Sequence, residues 1–177
     1  MRQRPLCSHP FKPAVWIAIV VAAVIAPSVA RSAPQPHGDL RVEVVGEGRP
    51  VLMIPGLNSS AEVWRQTCQA LQPLQCHLIQ LPGFAGAPPA VSEPFLDGMR
   101  DQVLAYAASQ KLQQPAVIGH SLGGLLGMKL ALAAPEAIGP LVIVDSLPFF
   151  AAATNPAASV ASVQPMAAGM RQAMMAA

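Results

Sequence analysis

Short apolar segments recur along the chain from residue 40 onward, and longer segments with helical spacing separate them. Residues 40–45 alternate between apolar and polar side chains, as a strand with one buried face does. Residues 51–54 are a continuous apolar run, typical of a strand buried on both faces, and residues 141–144 are another β-branched apolar run. The predicted strands are residues 40–45, 51–54, 76–81, 116–119 and 141–144. The predicted helices are residues 61–71, 92–111 or 93–111, and 122–134.

This alternation of strands and helices predicts an α/β fold, with a mostly parallel sheet of about six strands and helices on both faces. Ligands of such sheets bind at the carboxyl ends of the strands, so the loops after residues 54, 81, 119 and 144 face one side. Residues 39–150 form the predicted core. Residues 31–38 form a proline-containing linker, and residues 151–177 are either the start of a lid or a tail.

Composition excludes two classes of protein. The chain has 177 residues, enough for one domain with its own core, and 53% of them are hydrophobic while only 11% are charged. Disordered chains have the opposite balance. The net charge is only +2, and several basic residues lie within the first dozen positions. No basic patch remains that would indicate a nucleic-acid partner.

The N-terminus has the three parts of a secretory signal peptide. Basic residues lie within the first twelve positions, and residues 14–26 form an uncharged apolar run. Residues 28–30, Ser-Val-Ala, fit a cleavage site, so residues 1–30 are predicted to be removed near Ala30 and the protein to be secreted or periplasmic. An uncleaved anchor is the alternative, although the apolar run is short for a membrane span. After cleavage no stable membrane anchor would remain.

Two cysteines, Cys68 and Cys76, would remain after cleavage. An exported protein folds under oxidising conditions, where two cysteines can form a disulfide. A disulfide requires Cα atoms within about 7 Å of each other, and the sequence leaves bridged and free thiols equally open. His77 beside Cys76 offers too few ligands for a metal site, so neither a metal nor another cofactor is predicted.

The most specific motif is Gly119-His120-Ser121-Leu122-Gly123, which lies between a predicted strand and a predicted helix. A serine on a sharp strand-to-helix turn holds its hydroxyl clear of the sheet. The chain passes so close to its neighbours there that side chains at Gly119 and Gly123 would collide with them. The following helix points its N-terminal amides at the serine. This context predicts a nucleophile at Ser121, the alternative being a chance serine in a glycine-rich turn.

Several linked segments resemble, in order, parts of the α/β-hydrolase family. They are residues 46–52 (GEGRPVL), 54–57 (IPGL), 81–86 (LPGFAG), 119–124 (GHSLGG) and 142–145 (VIVD). The resemblance implies that Ser121 is the nucleophile and that the backbone N–H groups of Leu57 and Leu122 form an oxyanion hole. It also implies acyl transfer from a small-molecule ester, thioester or amide to water, as in a carboxylesterase or lipase.

The sequence departs from the family pattern after Ser121. Family members carry an acid and then a histidine after the serine, but no histidine follows Ser121 here. His120 is expected to point away from the hydroxyl. Asp145 is a weak candidate for the acid, because a polar cap at a strand end is the commoner role. The chain therefore resembles a C-terminally truncated member of the family, nearly inactive as given.

Two alternatives to a working ester hydrolase stay open at this point. One is a non-catalytic or decayed protein that keeps the fold for binding. The other is an acyltransferase or perhydrolase that uses the same fold and site. Residues 141–144 are also expected to form an exposed apolar edge of the sheet, which is an aggregation hazard and predicts poor solubility.

Overall fold

The computed structural model describes residues 32–71 and 73–175. Its strands form one sheet in the order β1-β2-β4-β3-β5-β6. The strands are β1 (Gln35–His37), β2 (Leu40–Val45), β3 (Arg49–Ile54), β4 (Leu74–Gln80), β5 (Ala116–His120) and β6 (Leu141–Val144). The helices are α1 (Arg65–Ala70), α2 (Phe95–Ser109), α3 (Leu122–Ala133), α4 (Ala151–Thr154) and α5 (Val160–Met175), and a 3₁₀ turn, Ala61–Trp64, precedes α1.

The sheet is antiparallel at one edge and parallel over the rest. β2 pairs antiparallel with both β1 and β4. β3 pairs in parallel with β4 and β5, and β5 pairs in parallel with β6. Parallel neighbours need a crossover connection, and α1, α2 and α3 lie within these connections. The predicted α/β fold with a mostly parallel sheet is confirmed.

Apolar cores cover both faces of the sheet. Along β3, Leu52 and Ile54 belong to the core under α2 and α3, whereas Val51 and Met53 belong to the core under α1. Successive side chains of a strand point to opposite faces, so these two cores lie on opposite sides. The helical members of the larger core are Met99, Val103, Tyr106, Leu126 and Leu130. Burial on both faces explains the continuous apolar run in β3.

A buried ion pair joins β2 to α1. Glu43 of β2 is 5% exposed. Arg65, at the start of α1, donates to both of its carboxylate oxygens, with Nη1 3.0 Å from Oε1 and Nη2 2.8 Å from Oε2. Glu62 of the 3₁₀ turn also accepts from Arg65. A carboxylate this far from solvent is tolerated because a charged, two-point partner meets it.

Some boundaries differ from those that the sequence predicts. Residues 35–37, predicted as linker, form β1, because their backbone completes an antiparallel ladder with β2 without needing an apolar side-chain pattern. Residues 61–71 form a 3₁₀ turn and a short α-helix instead of one helix. α2 begins at Phe95 instead of residue 92 or 93, because Pro94 has an extended backbone with ψ 141°.

The two cysteines form a disulfide. The Cα atoms of Cys68 in α1 and Cys76 in β4 lie 6.2 Å apart. Both side chains are fully buried in the core under α1. The bridge therefore fastens α1 to the strand that follows it and answers the question that the sequence left open.

The segment after residue 150 forms helices that bury little of their surface. α4 and α5 are exposed along most of their length, and Met166 of α5 is 63% exposed. β6 lies at the edge of the sheet, with Val142 49%, Ile143 41% and Val144 39% exposed. The apolar edge that the sequence predicts is therefore present in the part of the sheet that the structure describes.

The predicted signal peptide, residues 1–30, lies outside the described residues, together with its cleavage site near Ala30. Within residues 32–71 and 73–175, no helix combines the length and the hydrophobicity that a membrane span requires. Export therefore stays a prediction.

Candidate active site

Ser121 lies on the turn between β5 and α3. Its backbone has φ 51° and ψ −114°, a conformation that residues other than glycine rarely adopt. Such a conformation persists only where the surroundings enforce it, and it is common at functional sites. The Ser121 N–H donates to the Val144 carbonyl over 3.0 Å, and the Ser121 carbonyl accepts from the N–H groups of Gly124 and Leu125. The turn is thus fixed by β6 on one side and by the first turn of α3 on the other.

Two glycines make room for this turn. A Cβ atom at Gly119 would lie 2.3 Å from the carbonyl oxygen of Gly123, and one at Gly123 would lie 2.3 Å from the carbonyl oxygen of Ile54. Both obstructing atoms belong to the backbone, so they cannot turn aside as the end of a flexible side chain can. The collision that the sequence predicts at these two positions is confirmed.

The loop after β3 lies directly against the serine. A Cβ atom at Gly56 would lie 3.2 Å from the Cβ of Ser121 and 2.9 Å from Nδ1 of His120. The side chain of the next residue, Leu57, is 66% exposed. The loop therefore approaches the serine through its backbone. The Gly56–Leu57 peptide carries one of the two N–H groups that the sequence assigns to an oxyanion hole.

Leu122 carries the other N–H group and is the first residue of α3. The first four N–H groups of a helix have no acceptor within that helix, and the helix dipole favours negative charge at this end. Leu122 follows Ser121 directly in the chain, and Gly56 packs against Ser121 from the loop after β3. The two predicted donors therefore belong to the two backbone segments adjacent to the serine.

Gln80, the last residue of β4, joins two loops of the site. Its amide nitrogen Nε2 lies 3.3 Å from the Ser59 carbonyl oxygen, 3.0 Å from that of Leu81 and 3.2 Å from that of Phe84. Its Oε1 accepts from the Ala61 N–H over 2.8 Å. The sequence predictions missed this residue. The available signal was a polar side chain at the end of a buried strand, immediately before a Leu-Pro-Gly loop.

His77 is committed to a buried network away from Ser121. It lies in the middle of β4, not at its start, and is 2% exposed. Its Nδ1 lies 2.6 Å from the hydroxyl oxygen of Tyr106, and its Nε2 lies 3.2 Å from Oε1 of Gln75. Since Gln75 Oε1 can only accept, the proton sits on Nε2 and Tyr106 donates to Nδ1. Burial lowers the pKa of His77 to about 4 and raises the pKa of Tyr106 to about 12.

The other described histidines do not activate the serine either. His37 lies in β1, and its ring packs edge-on against Tyr106 with the ring centroids 4.6 Å apart. The Nδ1 of His120 lies next to Gly56 in the loop after β3. Among the residues that the structure describes, the Ser121 hydroxyl has no hydrogen-bond partner.

Asp145 follows β6 directly and is exposed, with φ 47°. It adjoins Val144, whose carbonyl accepts from Ser121, so it lies at the same end of the sheet as the serine. No described histidine is hydrogen-bonded to its carboxylate. Asp145 thus reaches the predicted face of the sheet without a base beside it. In the described part of the chain, no group of three or more His, Cys, Asp and Glu side chains is arranged to hold a metal ion.

Residues 51–176 match the family model described as "Alpha/beta hydrolase family". The pimeloyl-(acyl-carrier protein) methyl ester esterase of Vibrio campbellii is 33% identical over 115 residues, which are 64% of this chain and 43% of that protein. The esterase of the same name from Aliivibrio fischeri is 37% identical over 108 residues, 60% of this chain and 40% of that protein. The chain therefore spans less than half the length of these relatives.

Solved structures are similar over the same part of the chain. A marine microorganism esterase superposes with a TM-score of 0.54 at 27% identity, over 59% of this chain and 40% of that one. An esterase from Exiguobacterium antarcticum superposes with a TM-score of 0.56 at 18% identity, over 60% of this chain and 41% of that one. At that identity the second similarity shows the fold alone.

Proposed function

The chain belongs to the alpha/beta hydrolase family, and from this premise we propose that it is a serine hydrolase that transfers the acyl group of a small carboxylic ester to water. The observation that carries the proposal is the strained turn at Ser121, packed against the backbone of Gly56 and followed directly by α3. The relatives from Vibrio campbellii and Aliivibrio fischeri are named as methyl ester esterases, which supports an ester substrate.

In the proposed reaction, Oγ of Ser121 forms a bond to the carbonyl carbon of the ester. The electrons of the carbonyl double bond move to its oxygen, and the N–H groups of Leu57 and Leu122 stabilise that oxyanion. The Ser121 hydroxyl gives its proton to a base as the bond forms. Collapse of the intermediate breaks the bond to the alcohol oxygen, which takes that proton from the base and leaves as the alcohol. Water then attacks the acyl-serine in the same way, releases the carboxylic acid and restores the hydroxyl.

We also propose that the chain of 177 residues has low activity by itself. A serine hydroxyl is a weak nucleophile without a base to accept its proton, and no histidine follows Ser121 in the sequence. Asp145 is the proposed acid, but an acid of this type works by orienting a histidine. We therefore expect almost no hydrolysis by the purified chain unless a base is supplied.

A chemical-rescue experiment tests the role of Ser121. The purified chain is assayed with p-nitrophenyl butyrate over a series of imidazole concentrations, because free imidazole can act as the missing base. The variant Ser121→Ala is assayed in parallel and measures the direct reaction of imidazole with the ester. We expect imidazole to raise the rate of the unmodified chain above that of the variant. Equal rates at every imidazole concentration would overturn the proposal.

A second candidate is a non-catalytic protein that keeps the fold for binding, and it is favoured by the described histidines, since His77 bonds to Tyr106 and the Nδ1 of His120 lies next to Gly56. It predicts saturable binding of an acyl compound with no rescue by imidazole. An acyltransferase or perhydrolase would be rescued but would pass the acyl group to an alcohol or to peroxide. Product analysis with each of these acceptors in competition with water distinguishes them from the hydrolase.

Export is the remaining part of the proposal. It is supported by the signal-like pattern in residues 1–30 and by the buried Cys68–Cys76 disulfide, since disulfides persist mainly in oxidising compartments. Cell fractionation followed by N-terminal sequencing tests it. We expect a mature N-terminus near Arg31 outside the cytoplasm, and an intact N-terminus in the cytoplasmic fraction would contradict this.

A further inference from the structure

We propose that Gln80 is the positioning residue of the oxyanion hole, an inference that rests on the function proposed above. Gln80 ends β4 and is half-buried. It acts through the loop after β3, residues 55–60, by orienting the peptide that presents the Leu57 N–H to the reacting carbonyl.

The Gln80 amide bonds to the backbone of both loops. Its two N–H groups face the carbonyl oxygens of Ser59, Leu81 and Phe84, so one N–H is shared between two acceptors. Its Oε1 accepts from the Ala61 N–H. Every partner is a backbone group in or next to the loops after β3 and β4. The side chain therefore holds both loops to the end of the strand.

Hydrogen bonds through Ser59 connect Gln80 to the peptide that carries the Leu57 N–H. Gln80 fixes the Ser59 carbonyl, and Ser59 in turn donates its N–H to the Gly56 carbonyl over 3.3 Å and its Oγ–H to the Leu57 carbonyl over 3.3 Å. The Gly56 carbonyl and the Leu57 N–H belong to one planar peptide and point in opposite directions. Fixing the carbonyl therefore fixes the direction of the N–H.

Gln80 also holds the far end of the same loop, where the 3₁₀ turn begins. Gln80 accepts from Ala61, and Ser60 accepts from the Glu62 N–H over 3.2 Å, so the 3₁₀ turn begins at a defined point. Directly before the two points at which Gln80 holds the loop, Ser59 and Ala61, Asn58 has φ 54°. A loop that is exposed at Leu57 and strained at Asn58 needs both attachments to keep one orientation.

Two substitutions remove different parts of this arrangement. Gln80→Glu keeps the size and the acceptor for Ala61, but a carboxylate cannot donate and would face three carbonyl oxygens. Gln80→Met keeps the length and makes none of the bonds. The matched control is Gln75→Glu, the same substitution earlier in the same strand, where the side chain bonds to His77 and not to the loops.

Two measurements on the purified full chain test the inference. Amide hydrogen exchange by NMR reports on the loop, and we expect at least tenfold faster exchange at Leu57 in both Gln80 variants, with the α3 amides and the Gln75→Glu variant unchanged. Phenylboronic acid reports on the oxyanion hole, because its adduct with a serine hydroxyl is tetrahedral and anionic. We expect its dissociation constant to rise at least tenfold in both Gln80 variants and to stay unchanged in the control.

The outcomes separate this inference from the proposed function. If phenylboronic acid fails to bind, or binds Ser121→Ala equally well, the proposed function fails, and the exchange at Leu57 still decides whether Gln80 orders the loop. If Leu57 exchange and boronate affinity are unchanged in both Gln80 variants, the inference is overturned. A lower melting temperature with those two readouts unchanged overturns it too, because Gln80 would then support only the fold.

Discussion

The residues around Ser121 are constrained by backbone contacts more than by side-chain packing. Gly119 and Gly123 lie where any Cβ would overlap a carbonyl oxygen, and Ser121 itself adopts φ 51°. These contacts place the end of β5, the start of α3 and the end of β3 against one another. The position of Ser121 therefore depends on residues that carry no chemistry of their own.

The contact at Gly123 gives a prediction for the free energy of unfolding. Gly123→Ala should lower it by about 2–3 kcal/mol or more, because the new methyl group meets the Ile54 carbonyl and the strand or helix must shift. Gly169→Ala in exposed α5 is the control, since a Cβ there meets no atom within 4 Å. Urea unfolding followed by circular dichroism measures both. Equal stability of the two variants would contradict the contact.

His77 gives a prediction for the pH dependence of stability. Its pKa is about 4 in the folded chain and about 6.5 when unfolded, so the unfolded chain binds more protons between these values. The contribution of His77 to the free energy of unfolding is fully present above its unfolded pKa of about 6.5 and is lost as the pH falls towards 4. Between pH 7.5 and 5 the free energy of unfolding should therefore fall by roughly 1–2 kcal/mol.

The measurement is urea unfolding at several pH values for the unmodified chain and for His77→Leu. The variant should lose the part of the pH dependence that lies between pH 4 and 6.5. If the free energies of unfolding of the two proteins change in parallel between pH 4 and 6.5, then His77 is not held neutral by burial.

Sequence reasoning worked at those residues where a single backbone requirement selects a residue type. Only glycine leaves room for the neighbouring carbonyl oxygens at positions 119 and 123. The turn and the place of Ser121 on it were therefore predictable from a five-residue motif. Gln80 was not, because its importance depends on two loops meeting at the end of β4. The sequence predicts a strand that begins at Cys76, which puts His77 near its start, whereas β4 begins two residues earlier, at Leu74.

At the scale of elements, α1 is fastened to the sheet by two different links. The Cys68–Cys76 disulfide joins it to β4, and the Arg65–Glu43 pair joins it to β2. Both links lie beside a short helix that buries few side chains of its own. They hold the segment that directly follows the loop after β3, so they support the same part of the site that Gln80 orders.

The buried pair gives a prediction for the link between β2 and α1. Arg65→Met removes both guanidinium bonds from the Glu43 carboxylate and should cost about 1.5–3 kcal/mol of unfolding free energy, the usual range for hydrogen bonds to a charged group. The double variant with Glu43→Leu should recover most of that loss, because no charge then stays buried. Arg100→Met is the control, since its partners are exposed carboxylates and the expected cost is about 1 kcal/mol or less. Chemical denaturation measures all of them, and a single variant no worse than the control would contradict the prediction.

Element boundaries were predictable where burial sets a pattern and were missed where only backbone pairing does. β3 and β6 were found as apolar runs, whereas β1 has no such run and exists through its ladder with β2. The disulfide could not be decided from spacing, because the distance between Cys68 and Cys76 depends on how α1 packs against β4.

At the scale of the whole molecule, the sheet formed by the described residues has two very different edges. β1 closes one edge as a short antiparallel strand, and short edge strands discourage further pairing. β6 forms the other edge with Val142, Ile143 and Val144 partly exposed. The overall α/β architecture was predictable because strands and helices alternate from β3 to β6. The sequence also predicts an exposed apolar edge at residues 141–144, and β6 lies there.

The exposed edge gives a prediction for aggregation. Val142→Lys places a charge on β6 and should lower the light scattering of a concentrated solution several-fold, because charged edges resist pairing with another chain. Val160→Lys is the control, since Val160 is 71% exposed in α5 and not on a strand. Static light scattering against protein concentration measures the effect. An equal reduction in both variants would mean that surface charge alone, and not the strand edge, controls solubility.

The strained backbone of Ser121 has a consequence for mutational tolerance. Every replacement of Gly119 or Gly123 adds a Cβ where backbone oxygen already lies, so a library scored only for folded protein should be depleted at both positions. Ser121 behaves in the opposite way, because Ser121→Gly removes the Cβ that makes φ 51° costly. When only folding is selected, Ser121→Gly should therefore be tolerated, whereas replacements of Gly119 and Gly123 should not. A selection for binding of phenylboronic acid, which needs the Ser121 hydroxyl, would instead deplete Ser121→Gly and leave the two glycines as they are.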